Sequence, residues 1–244
     1  LAGPDPREPL ALAAPERPYR DWAAEARPPR RVAFSRDLGI TPVDPEIAAL
    51  CEAAARRFEA LGVAVEEAHP ALSGAHECFQ TLRALGYATA HAGRLRDHRD
   101  LLNASVIWNT EKGLALTGAE IARALRRRGE IVAAARAFFE TYDLLLCPAT
   151  VVQPFPVETP WPTECAGVRF ETYIDWLAIA YAITLTGHPA LSLPCGFTAA
   201  GLPVGLQMVG PARGEGPLLS AAAALEAALG LDPRPIDPRP GAAA

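Results

Sequence analysis

The sequence predicts an α/β domain, and three stretches of it carry that prediction. Residues 31–36 form a short apolar strand, followed by a helix-spaced run at Ile47, Leu50, Cys51, Ala54, Phe58 and Leu61 and a second short strand at 63–65. Strand, amphipathic helix and strand make a βαβ unit, whose two strands should be parallel and buried. Farther on, the fully apolar run 144–147 stops at Pro148, as a buried strand would. Near the end, two apolar strands at 190–197 and 204–209 flank a turn at Gly201, which reads as a β-hairpin.

Each element carries its own start and stop signals. Asp44-Pro45 supplies an N-cap and a proline in the first helical turn, and Gly62 ends that helix. Residues 73–96 read as helix, with Phe79, Leu82 and Leu85 on one face. Residues 97–116 read as irregular. Thr117 and Glu120 form a capping box that opens a long helix, its apolar face drawn from Ile121, Ala124, Leu125, Val132, Ala135 and Phe139. On its polar face Arg126 is placed to pair with Glu130. Residues 148–170 contain six prolines or glycines and no periodicity, so they read as a long loop, ordered by Phe155 and Trp161. A mostly apolar helix spans 172–185, and Pro194 inside the next strand requires an edge or a bulge. A final helix over 217–229 ends at Gly230. Domain organisation follows: a Pro/Arg-rich leader lying on the surface (1–30), one α/β domain (31–230) and a mobile tail (231–244).

Composition narrows the function. Of 244 residues, 50% are hydrophobic and 21% charged, the balance of a globular chain, and the net charge of −5 gives no field for a polyanion. Neither a nucleic-acid nor a membrane partner is expected, because no apolar run approaches the ~20 residues needed to span a bilayer. Five cysteines, widely spaced and without an export signal, read as reduced thiols in a cytoplasmic chain. The sequence starts at Leu1 and its one methionine is Met208, so a fragment or a processed chain is expected.

Several motifs come close to chemistry and stop short. His76-Glu77 opens a zinc-type HExxH, but Gln80 stands where the second histidine belongs. His69 and His76, like His91 and His98, sit seven residues apart and read as surface histidines. Lys112 is the one lysine and reads as a solvated side chain. No metal and no cofactor is expected.

The segments 1–9, 142–150, 173–176 and 186–210, in that order and spacing, resemble the second half of the amidase signature family of serine amide hydrolases. The resemblance implies one α/β domain built on a mixed, mostly twisted β-sheet flanked by helices. It also implies an acyl-enzyme mechanism with a nucleophilic serine, a bridging serine and a lysine base, supported by backbone N–H groups at the oxyanion. None of those positions is found here, because Ser35, Ser73, Ser105, Ser192 and Ser220 all lie outside any Gly/Ser-rich loop. What the resemblance assigns to this half is pocket wall: Cys147, Pro148, Trp161, Asp175, Trp176, Ile179 and His188. Trp108 is a weaker candidate. In the related glutamyl-tRNA amidotransferase subunits a substrate-carboxylate arginine is expected near 108–112, where this chain has Asn109 and Thr110. The implied partners are a small-molecule amide substrate and an N-terminal catalytic half of the same enzyme, with a homo-oligomer as a further option. Two other readings compete: a non-catalytic binding or assembly module, and a cysteine hydrolase using Cys195 and His188 with Asp175 as orienter.

Overall fold

The computed structural model describes residues 3–8 and 10–232. Its elements run α1 (Tyr19–Glu25), β1 (Arg31–Phe34), α2 (Pro45–Ala55), β2 (Ala64–Glu67), α3 (Ala75–Asp97), α4 (Ala104–Leu114), α5 (Gly118–Phe138), β3 (Leu144–Pro148), β4 (Glu164–Cys165), β5 (Val168–Arg169), α6 (Ala178–Thr186), β6 (Ala190–Phe197), β7 (Pro203–Val209) and α7 (Glu215–Leu229). Five strands form one mixed sheet in the order β2-β1-β3-β7-β6, so the α/β class and the flanking helices agree with the sequence. All but residues 231 and 232 of the tail assigned to 231–244 lies outside the described residues. Among the described residues no helix is long and apolar enough to cross a membrane.

The βαβ unit forms as its signals require. The Asp44 carboxylate accepts the Glu46 and Ile47 N–H groups, which α2 leaves without intrahelical partners. A 3-10 turn (Arg56–Leu61) extends the helix, and Gly62 closes it at φ 79°. β1 and β2 pair in parallel with Arg31 opposite Ala64. Only β1 is buried, however. β2 is the sheet's edge, and its charged Glu66 and Glu67 keep it half in solvent, with Arg31 holding Glu66 at 2.8 Å.

β3 joins the two halves of the sheet. All five of its residues are buried; it runs parallel to β1 and antiparallel to β7. β6 and β7 form the expected hairpin, and the ladder slips between Pro194 and Gly196. Pro194 therefore occupies both an edge strand and a bulge, where its missing N–H costs no ladder bond. Helix α7 lies on this hairpin and α1 lies on α7, with the Trp22 ring 2.7 Å from where a Cβ on Gly216 would stand.

Three helical expectations are corrected. Residues 104–114 are the helix α4 and not irregular chain: Asn103 caps it by accepting the Val106 N–H, and its buried residues are the polar or small Asn109, Thr110 and Gly113. α5 is rotated from the predicted face. Its buried residues are Ala124, Ile131 and Ala135, while Leu125 and Val132 are 53% and 37% exposed. Ala124 and Ala135 allow α3 to approach there, and the larger Leu125 and Val132 face outward. On its outer side Arg127, not Arg126, pairs with Glu130 at 2.6 Å. α6 starts at Ala178, after a 3-10 turn (Asp175–Leu177), because residues 171–174 are held in a turn by the Asp175 side chain. Within the long loop, β4 and β5 make a two-residue hairpin turned by Ala166 and Gly167.

α3 and α4 form an antiparallel pair whose spacing is set by Gly113. A Cβ there would lie 2.0 Å from the Ala84 carbonyl oxygen. Gly113→Ala should destabilise the fold by about 2 kcal/mol or more, by forcing the helices apart. Gly129→Ala, in open space on α5, should stabilise it by ~0.5–1 kcal/mol. Urea denaturation of the two variants decides this, and equal effects would remove the argument. Between α6 and β6, His188 stacks on Phe139 at 4.8 Å and its Nδ1 lies 3.2 Å from the Thr186 carbonyl. Burial holds its pKa below the ordinary 6.5, against the Thr186 bond, which raises it. The unfolded chain therefore binds the proton more readily, so stability contributed by neutral His188 is present above pH 6.5 and falls as the pH drops below that value. His188→Asn should flatten the denaturation midpoint's dependence on pH between about 7 and 5.

Candidate functional site

An apolar concavity lies where α4 meets the turn before α6. It is a groove of 580 Å³ lined by Trp108, Trp161 and Tyr173, with Pro160, Asn103, Ala104, Ser105, Glu171 and Thr172 at its margins. Trp108 and Tyr173 meet edge to face, their ring centroids 6.0 Å apart.

A polar network behind the rings holds this wall in place. Asp175 accepts the backbone N–H groups of Glu171 (2.9 Å) and Thr172 (2.8 Å) and the Thr172 hydroxyl (2.7 Å). Gln80 on α3 donates to the same carboxylate at 3.3 Å and accepts from Lys112 Nζ at 2.8 Å. The Lys112 ammonium sits 4.9 Å from the centroid of the Trp108 ring. Tyr173 is fixed through its hydroxyl, which accepts from Arg83 at 2.9 Å and from Asn109. Three elements distant in sequence thus converge on one groove, two of its rings oriented by charged or amide side chains.

The residues singled out in the sequence fall into three places. Trp161 lines the groove, and Asp175 braces the turn that carries Tyr173. Trp176 packs edge-on against Phe155 beside them. Cys147, Pro148 and Ile179 lie deeper, in the core under α6, where Gln207 donates to Cys147 Sγ (3.2 Å) and to the Ile179 carbonyl (3.3 Å). Burial pushes the Cys147 thiol up to about 12, so it is an inert packing group. His188 is occupied with Phe139 and Thr186. Tyr173, Gln80, Arg83 and Asn109 were not marked as site residues. The available signal was Gln80, Arg83 and Tyr87, at i, i+3 and i+7 on one side of α3.

Two further readings are corrected. Lys112 is half-buried and engaged, not a solvated lysine. His76 is no surface residue: its ring bridges the Ile40 carbonyl (2.8 Å) and the Tyr181 hydroxyl (2.5 Å), joining α3 to α6. The cysteine-hydrolase arrangement is not assembled. Cys195 Sγ lies 4.0 Å from Cys51 Sγ, His188 bonds Thr186, and Asp175 bonds Thr172 and Gln80. Hydrogen bonding to Cys195, together with burial, pushes the Cys51 thiol up. Among the described residues no group of three or more His, Cys, Asp or Glu side chains is arranged to hold a metal ion.

Comparison with known proteins places this architecture. The Amidase family model matches residues 1–219. An acylamidase of Rhodococcus erythropolis is 31% identical over 242 residues, covering 93% of this chain and 48% of that protein. A putative amidase, AmiA2, of Mycobacterium tuberculosis is 28% identical over 214 residues, covering 86% of this chain and 44% of its own. Among solved structures, a bacterial aryl acylamidase of the amidase signature family superposes with a TM-score of 0.82 at 22% identity, over 93% of this chain and 49% of that one. A 6-aminohexanoate cyclic dimer hydrolase superposes with a TM-score of 0.80 at 24% identity, over 94% of this chain and 51% of the other. The chain spans about half the length of the curated relatives it matches. With nine-tenths of its residues inside the family match and the same fold in the solved relatives, the chain belongs to the amidase family.

Proposed function

We propose that this chain is the substrate-pocket half of an amide hydrolase that works through an acyl-enzyme, its serine nucleophile and lysine base being supplied by a catalytic half outside these 244 residues. The observation that carries the reading is a family match over residues 1–219 combined with a groove that has binding walls and no nucleophile–base pair. A serine attacks an amide carbonyl only when a positioned base takes its proton. The one lysine, Lys112, donates to Gln80, and no serine hydroxyl is bonded to it. Ser35 and Ser220 accept backbone N–H groups, and Ser105 bonds Asn103. The groove, lined by three aromatic rings, suits the aryl or acyl group of an uncharged small-molecule amide.

The partner half has an edge to pair with. β6 ends the sheet, with Phe197 46% exposed near its tip, and an unpaired strand edge is a template for another chain. Hydrolysis of an aryl amide is therefore expected only when this chain is mixed with a separately expressed N-terminal half of a similar enzyme. Cys195→Ala should leave that reconstituted activity in place. Activity of this chain alone, abolished by Cys195→Ala, would replace the serine reading with a cysteine one; no activity in either mixture would favour a binding or assembly module. Without its other half the chain should self-associate, and sedimentation velocity at rising concentration should show it. A monodisperse monomer at high concentration would count against an open edge.

A further inference from the structure

We propose that the Trp108–Trp161–Tyr173 groove receives a neutral, electron-rich aromatic group and rejects organic cations, with Lys112 and Arg83 setting that preference from behind the rings. The inference rests on the substrate-groove reading above. An aromatic groove with a carboxylate at its margin, Glu171, would ordinarily suit an ammonium group. Here the charges behind the wall reverse that expectation. Lys112 Nζ lies 4.9 Å from the Trp108 centroid, and the Arg83 guanidinium lies 5.9 Å from that of Tyr173 and 4.8 Å from that of Tyr87. Neither cation lines the groove, so each acts on a ligand through the ring it touches.

Both cations are uncompensated. Among the described residues neither has a carboxylate within 4.0 Å, and the Arg83 Nε is buried without an acceptor. The nearby acids are committed elsewhere or wet. Asp175 faces Gln80, Thr172 and two backbone N–H groups; Glu111 holds Arg99 at 2.7 Å; Glu171 is exposed, where water and salt screen it. Lys112 and Arg83 are half-buried, so their fields reach the groove less attenuated. A cation over an indole draws π density toward itself, and an Arg83 N–H donated to the Tyr173 oxygen does the same to the phenol. Rings depleted in this way stack better on an electron-rich ring and offer less to a second cation.

The test uses two isosteric probes that differ in charge, 4-tert-butylacetanilide and 4-(trimethylammonio)acetanilide, titrated into the full chain. Binding is read on the indole N–H resonances of Trp108 and Trp161, assigned with Trp108→Phe and Trp161→Phe. The neutral probe should bind more tightly, and Lys112→Met should narrow the gap by about threefold or more. Arg83→Met should narrow it as well, which covers the case in which one variant fails to fold. A neutral pair, 4-methoxy- and 4-nitroacetanilide, should favour the methoxy compound, and less so in Lys112→Met. Equal or tighter binding of the cationic isostere, or a gap that neither folded variant changes, overturns the proposal. If neither probe moves either indole resonance, the groove itself is not a binding site and the proposal falls with it. Amide hydrolysis by the reconstituted halves is measured separately, so that reading survives or fails on its own result.

Discussion

Everything in this molecule hangs on β3, the strand with both neighbours and no exposed residue. A strand buried on both faces must be apolar throughout, and Leu144–Pro148 is. Its parallel bonds to β1 bring in the βαβ unit, and its antiparallel bonds to β7 bring in the hairpin. Where β3 ends, Ala149 N still donates to the Gly205 carbonyl, which fixes the exit of the long loop. That loop returns through Trp161 to the turn at 171–177, so the groove's position follows from the register of a strand that never touches it.

The groove is then organised by desolvation. Gln80, Asn109, Arg83 and Lys112 would each lose free energy if buried without partners, about 1–3 kcal/mol for a neutral group and more for a charged one. They avoid most of that cost by bonding one another, Asp175 and the Tyr173 hydroxyl. Because the network is nearly closed, its members hold one geometry, and two of the rings they support inherit it. The exception is the Arg83 Nε, buried and without an acceptor.

The elements that could be read from the sequence share one property: their signals are local and redundant. Asp44, Gly62, Thr117 with Glu120, and Gly230 each mark a boundary by their own hydrogen-bonding or φ requirement, and the structure places helix ends at all of them. What stayed hidden depends on distant partners. The buried face of α4 is Asn109, Thr110 and Gly113, which meet α3 without an apolar side chain among them, so its apolar residues at 106–108 do not mark the packed side. α5 offers two apolar stripes, and the larger residues Leu125 and Val132 lie on the exposed one, so size misled where only packing could decide. The candidate site divides the same way. Trp161 and Asp175 were legible through the family resemblance, whereas Gln80 and Arg83 gained meaning only when α3 came to lie beside the 171–177 turn.

That division bears on how the proposed hydrolase could be assembled from two halves. Groups that bind a substrate need a wall that is rigid before the substrate arrives, and the supports of Trp108 and Tyr173 come from α3, α4 and the turn before α6. Groups that react must be aligned to within fractions of an ångström with one another, which two separately folding pieces could not ensure if each carried part of the nucleophile–base pair. In the proposed arrangement, keeping that pair together on the other half and the binding wall on this one removes the conflict. Under that proposal the interface between them would have to fix only the placement of a bound amide, a task suited to strand pairing along the β6 edge, whose hydrogen-bond register allows steps of whole residues and little drift between them.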